Sequence, residues 1–124
     1  MRCPMDILVV SPRAHLWHDL RPQFEKHGAT LHAAATLDEA LSGMKEQLPV
    51  LVVLDLDLNR DELRHAVFRI LSVNAMIHTA AVSTMSPETF HDAMEGLGML
   101  TSLPMSPTPS DIDALMDALA KVTG

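Results

Sequence analysis

Asp55 and Asp57 stand two residues apart at the end of an apolar run, in the segment Pro49 to Asn59 that reads Pro-Val-Leu-Val-Val-Leu-Asp-Leu-Asp-Leu-Asn. Such a run is the signature of a strand buried on both faces, and the two-residue side-chain period sends both carboxylates to one side near its end. In an open α/β sheet the carboxyl ends of the strands are where ligands and chemistry collect, so function is to be sought here first. Ser83 closes a later apolar run. Plainer roles compete for each residue. The two aspartates can be solvated carboxylates that finish a strand, and a serine at a strand end often bonds local backbone. His15 and His18, three apart with Asp19 beside them, are transition-metal donors by type, but no third ligand of matching spacing accompanies them. The seven histidines are otherwise scattered, which makes a pH-sensing role a weak expectation.

Composition limits what can position these groups. A chain of 124 residues with 48% hydrophobic content is expected to fold alone as one domain, 1–124. Nine Lys plus Arg against sixteen Asp plus Glu gives a net charge of −7, which repels phosphate backbones and anionic lipid. Neither nucleic acid nor membrane is an expected partner. The single cysteine, Cys3, cannot close an internal disulfide, and no apolar stretch reads as a leader or a span. A cytoplasmic location is the simplest expectation. With 3% aromatic content and no tyrosine, any partner surface is expected to be aliphatic.

The elements alternate. Ile7 to Val10 reads as a buried strand, and Ala14 to His27 as a helix with Leu16, Leu20 and Phe24 on one face, stopped by Gly28 and kinked or shortened by Pro22. Thr30 to Ala34 is a short strand. Thr36 and Glu39 form a capping box for a helix whose face is Leu37, Ala40, Leu41 and Met44. After the strand Leu51 to Leu56 come a helix from about Glu62 to Leu71 and the strand Ile77 to Ser83. Ser86 caps the next helix, with Pro87 at its first position and Gly96 beyond its end. Met99 to Leu103 is a last strand, and Asp111 to Val122, capped by Ser110, buries Ile112, Leu115, Met116 and Leu119. Met44, Met94 and Met116 fall on core faces; Met85, Met99 and Met105 lie near the last two strands, with gap filling the default and an interface the alternative.

Five βα units without an internal repeat predict a doubly wound, five-stranded parallel α/β sheet of flavodoxin-like type. The loops then exclude several chemistries. Ser11-Pro12-Arg13-Ala14-His15 has no glycine to cradle a phosphate, and Rossmann, P-loop, Asp-x-His-x-x-Gly and nucleophile-elbow patterns are absent. A binding module is expected in preference to an enzyme.

Ile-Leu-Val-Val at the end of the first strand, Leu-Val-Val-Leu-Asp55 in the third, Ser83 closing the fourth, and Gly96 followed by a strand ending in Leu103-Pro104 resemble the response-regulator receiver domain of two-component signalling. The resemblance runs from about Asp6 to Leu119. It implies a (βα)5 fold in which Asp55 is the phosphoacceptor position and Ser83 the hydroxyl that follows the phosphoryl group. The departures from the family are also specific. Ser11 and Pro12 replace the acidic pair that holds magnesium, Leu103 replaces the phosphate-pairing lysine, and Leu100 replaces the aromatic switch residue. The loop after Asp55 reads one residue short, with Asn59 where the family generally has proline.

Phosphoryl transfer depends on positioning and charge neutralisation, much of it from magnesium, which wants several oxygen ligands including one or two carboxylates. Asp55, with Asp57 contributing a backbone carbonyl, makes at best a weak magnesium site, and no cofactor is required. The resemblance therefore implies a degenerate, pseudo-receiver type module of a two-component or phosphorelay system that works through protein contacts, with a histidine kinase or a downstream signalling protein as partner. The alternative is a conditional receiver that still accepts phosphate on Asp55. Family precedent puts dimer or effector contacts on the fourth helix, fifth strand and fifth helix. On the last helix Asp113, Asp117 and Lys121 form an outer stripe suited to a weak homodimer or to partner docking. An unpaired Asp55 charge predicts that Asp55→Asn is neutral or mildly stabilising.

Overall fold

The apolar runs pair into one parallel sheet. The computed structural model describes residues 5–123; Cys3 lies outside the described residues. The elements are β1 (Met5–Val10), α1 (Ala14–Lys26), β2 (Ala29–Ala34), α2 (Leu37–Met44), β3 (Leu51–Leu54), α3 (Arg60–Val73), β4 (His78–Val82), α4 (Pro87–Ala93), β5 (Thr101–Leu103) and α5 (Pro109–Thr123). Strand order is β2-β1-β3-β4-β5, every pair parallel. This is the doubly wound α/β architecture the alternation predicts, with the order reversing between β1 and β3.

Residue alternation divides the core in two. Leu51 and Val53 of β3 join Trp17, Leu20 and Phe24 of α1 and Ile112, Leu115, Met116 and Leu119 of α5 on one face. Val52 and Leu54 join Ala40 and Met44 of α2, Leu63, Val67 and Ile70 of α3 and Phe90 of α4 on the other. Each fully buried aliphatic or aromatic side chain contributes roughly 1.5 to 3 kcal/mol of transfer free energy. The core therefore fixes the sheet order, and with it which loops meet.

Several boundaries differ from expectation. The inner stripe of α1 is Trp17, Leu20 and Phe24, while Leu16 is half-buried. Pro22 is exposed and α1 runs through it; His18, whose carbonyl loses its helical partner, is on the exposed side as well. Gly28, at φ 81°, turns the chain out of the helix. Helix α3 starts before Glu62 because Asn59 caps it: the Asn59 side chain accepts the Glu62 N–H at 2.8 Å, and the Glu62 carboxylate accepts the Asn59 N–H at 2.9 Å. Helix α5 starts before Asp111, and Thr108 makes the terminal bonds assigned to Ser110. The Asp111 carboxylate accepts the Thr108 N–H at 2.8 Å and its hydroxyl at 3.0 Å, and the Thr108 Oγ1 accepts the Asp111 N–H. At the start of α2, Thr36 accepts the Glu39 N–H, one half of the expected capping box; the reciprocal Glu39 side-chain bond is not formed among the described residues.

Three side chains, two on α1 and one at its C-cap, reach neighbouring elements. Arg21 donates to the Leu31 carbonyl of β2 at 2.6 Å. Gln23 and His27 reach Asp113 of α5 at 2.6 and 2.8 Å. Among the described residues, no helix is long and apolar enough to cross a membrane.

Candidate functional site

Strands β1 and β3 lie side by side with Val10 opposite Leu54, so the residues that follow them, Ser11 and Asp55, emerge together. The Asp55 N–H donates to the Val10 carbonyl and the Ser11 N–H to the Ala34 carbonyl, each at 2.8 Å, which continues the ladder one residue past the strands. Asp55 is thereby fixed at the topological switch point, 5% exposed.

Four donors converge on its carboxylate. The Ser11 hydroxyl donates to Oδ2 at 2.6 Å, and the Trp17 indole N–H to the same oxygen at 2.8 Å. Arg13 adds a side-on pair, Nε to Oδ2 at 2.9 Å and Nη2 to Oδ1 at 2.8 Å. Ser11 also accepts the Arg13 N–H on its Oγ at 2.9 Å, closing a two-residue turn that aims the guanidinium inward. The indole is placed by packing: Trp17 is 1% exposed and its ring lies 6.5 Å from that of Phe24. Burial by itself pushes the Asp55 carboxyl up. The Arg13, Ser11 and Trp17 hydrogen bonds and the Arg13 charge outweigh it and hold Asp55 below the ordinary carboxylate range.

The unpaired charge expected at Asp55 is therefore corrected. Its partners Arg13 and Trp17 escaped the sequence reading, although a lone tryptophan on an inward helix face needs an acceptor for its N–H. Beside Asp55 lies an open cleft of about 380 Å³. Asp57 and Ser83 line it with Arg13, Arg60, Thr84 and Met105. Asp57 is exposed, and the Ser83 hydroxyl accepts the Met85 N–H at 3.1 Å. Pro12 is exposed, Leu103 is 4% exposed within the core, and Leu100 is half-buried against that core just before β5. Met85 and Met99 pack against the other core face. His15, His18 and Asp19 are all exposed on α1, and no group of three or more His, Cys, Asp or Glu side chains gathers among the described residues.

These residues fit magnesium poorly. The acidic pair is absent, and a metal bound through Asp55 would have to displace a guanidinium that already bonds both oxygens. On α5, Asp113 is not part of a free outer stripe. Its carboxylate takes hydrogen bonds from His27 at the C-cap of α1 and from Gln23 of that helix, which also hold its pKa low, and Asp117 and Lys121 remain exposed.

No family model matches the sequence, and no curated protein matches it. Solved structures do. A two-component response regulator from Clostridium difficile superposes with a TM-score of 0.78 at 14% identity, over 97% of this chain and 99% of that one. The fold is the receiver fold. The chemotaxis protein CheY4 of Vibrio cholerae gives 0.73 at 12% identity, over 94% and 99% of the two chains. A LuxR family two-component response regulator from Aurantimonas sp. SI85-9A1 gives 0.75 at 21% identity, over 96% and 87%. Within the receiver fold, Asp55 occupies the end of the central strand, with Arg13 bonded across it.

Proposed function

We propose that this chain is a signalling module of two-component or phosphorelay type, of pseudo-receiver kind, in which an internal arginine takes the place of magnesium-dependent phosphorylation. It acts in the cytoplasm by binding proteins and is not an enzyme. One observation carries the reading: Asp55 Oδ2 accepts three donors and Oδ1 a fourth, two of the four from Arg13. To attack phosphorus, an aspartate needs a free oxygen and a cation that can also neutralise the incoming phosphoryl group. Here the permanent positive charge is spent on the carboxylate itself, and the apolar Leu103 offers no second one. Arg13 makes Asp55 a structural anchor joining β1, α1 and β3.

Protein partners, a histidine kinase or a downstream signalling protein, dock on the face of α4, β5 and α5. There a groove of about 310 Å³ is lined by Phe90, Met94, Met99 and Leu100, and Asp117 and Lys121 stand on the exposed side of α5.

Amide spectra recorded with magnesium and beryllofluoride, a phosphoryl mimic, test the reading. The expected result is no saturable shift clustered at Asp55 and Ser83, and no mass gain on incubation with acetyl phosphate. Shifts at both residues that disappear in Asp55→Asn would replace this reading with that of a conditional phospho-accepting receiver.

A further inference from the structure

The exposed side of α3 carries a pattern that phosphoryl chemistry does not use. Of the three phenylalanines, Phe24 and Phe90 are 0% and 4% exposed, whereas Phe68 is 63% exposed. Beside it a shallow groove of about 370 Å³ runs between α2 and α3, lined by Leu41, Lys45, His65, Arg69 and Val73 together with Phe68. Val73 is 40% exposed and Met76, just past the helix, 80%. An apolar strip of this kind marks a contact surface more often than solvent-facing residues scattered singly do.

The charges along the strip say what covers it. Asp61, His65, Phe68 and Ser72 recur at the spacing of one helix face, with Arg69 on its flank, and all are exposed. Asp61 stands at the N-terminal end and Arg69 eight residues on, roughly 12 Å along the axis. Of the other charged residues nearby, Arg64 donates to the Ala93 and Glu95 carbonyls and Glu62 caps the helix through Asn59, while Lys45 in the groove and Arg60 beside Asp61 are exposed. Arg69 has one contact among the described residues, a 3.4 Å bond to Asp38, itself 86% exposed. A copy of this helix laid parallel would set like charges together. Laid antiparallel, it sets Asp61 against Arg69 at both ends and opposes the two helix dipoles.

We infer that α3 is the contact of a symmetric homodimer. Two chains pack α3 against α3 antiparallel about a two-fold axis near His65, each Phe68 covered by the other copy's α2–α3 groove and each Asp61 facing the other copy's Arg69. An isologous contact of this kind closes on itself and leaves the α4, β5 and α5 face free for partners.

Sedimentation equilibrium on the full chain tests it. The expected result is a reversible dimer below about 1 mM, a dissociation constant within the range of weak complexes. Phe68→Asp should weaken it by more than about tenfold with an unchanged circular dichroism spectrum, since the site is on the surface. Asp61→Arg and Arg69→Asp should each weaken it, and the two together should restore it, as coupled partners do. Asp117→Lys, on α5, should leave it unchanged. A monomer at every concentration, a dimer indifferent to Phe68→Asp, or a double charge swap without rescue would each overturn the assignment. Loss of the dimer on Asp117→Lys would move the contact to α5.

Discussion

A buried carboxylate that receives four hydrogen bonds is costly to alter. Replacing Asp55 by Asn removes the charge that Arg13 answers and turns an amide N–H₂ toward donors, leaving the Trp17 N–H or the Ser11 hydroxyl short of an acceptor. The loss is expected to be about 2 to 3 kcal/mol, below the usual cost of splitting a buried pair because Arg13 is 38% exposed. A urea midpoint that falls at constant slope would show it. Acid should act through the same group. The folded pKa lies below the unfolded value of about 3.9, so the contribution is complete above about pH 4 and lost as pH falls through the folded value. Asp55→Asn should therefore flatten the acid limb of the stability curve, measured by urea titration at successive pH values. Asp55 was visible in the sequence because a carboxylate ending an apolar run is conspicuous. Arg13 and Trp17 were not, since their role depends on a register that only the paired strands fix. Ser11 was seen only as a lost magnesium ligand, yet its hydroxyl both braces Arg13 and bonds Asp55.

At the scale of elements, all ten helices and strands were legible from periodicity and caps, and the misplaced starts of α3 and α5 share one cause. Competing caps lie within two or three residues of each other, and side-chain geometry chooses among them. At α5, Thr108 and Asp111 bond reciprocally, so Thr108→Ala should cost about 1 kcal/mol, whereas Ser110→Ala, within the helix, should change stability by only a few tenths. Urea denaturation of the two variants side by side distinguishes them. Asp113 illustrates the same limit. Helical spacing set it apart from the buried face of α5, but could not show that Gln23 and His27 stand close enough to engage it.

For the whole molecule, the sheet order puts the ends of β1 and β3 together whatever residues stand there, so a metal site should be installable there by substitution. Ser11→Asp with Pro12→Asp should raise magnesium affinity, and adding Arg13→Ala should raise it further by removing the competing cation from Asp55. Calorimetric titration of the double and triple variants checks the order; equal affinities would mean that Arg13 does not compete.

The bond from Arg21 to the Leu31 carbonyl bears on a different hazard. Strand β2 is an edge of the sheet, and because its Ala34 carbonyl faces β1 through Ser11, the Leu31 backbone faces outward. Open edge carbonyls are templates on which another chain can add a strand. By occupying one of them with a fixed positive charge, Arg21 makes the exposed margin of β2 a poor seed for edge-to-edge aggregation. Arg21→Ala is expected to leave the urea midpoint nearly unchanged while light scattering on gentle heating rises sooner.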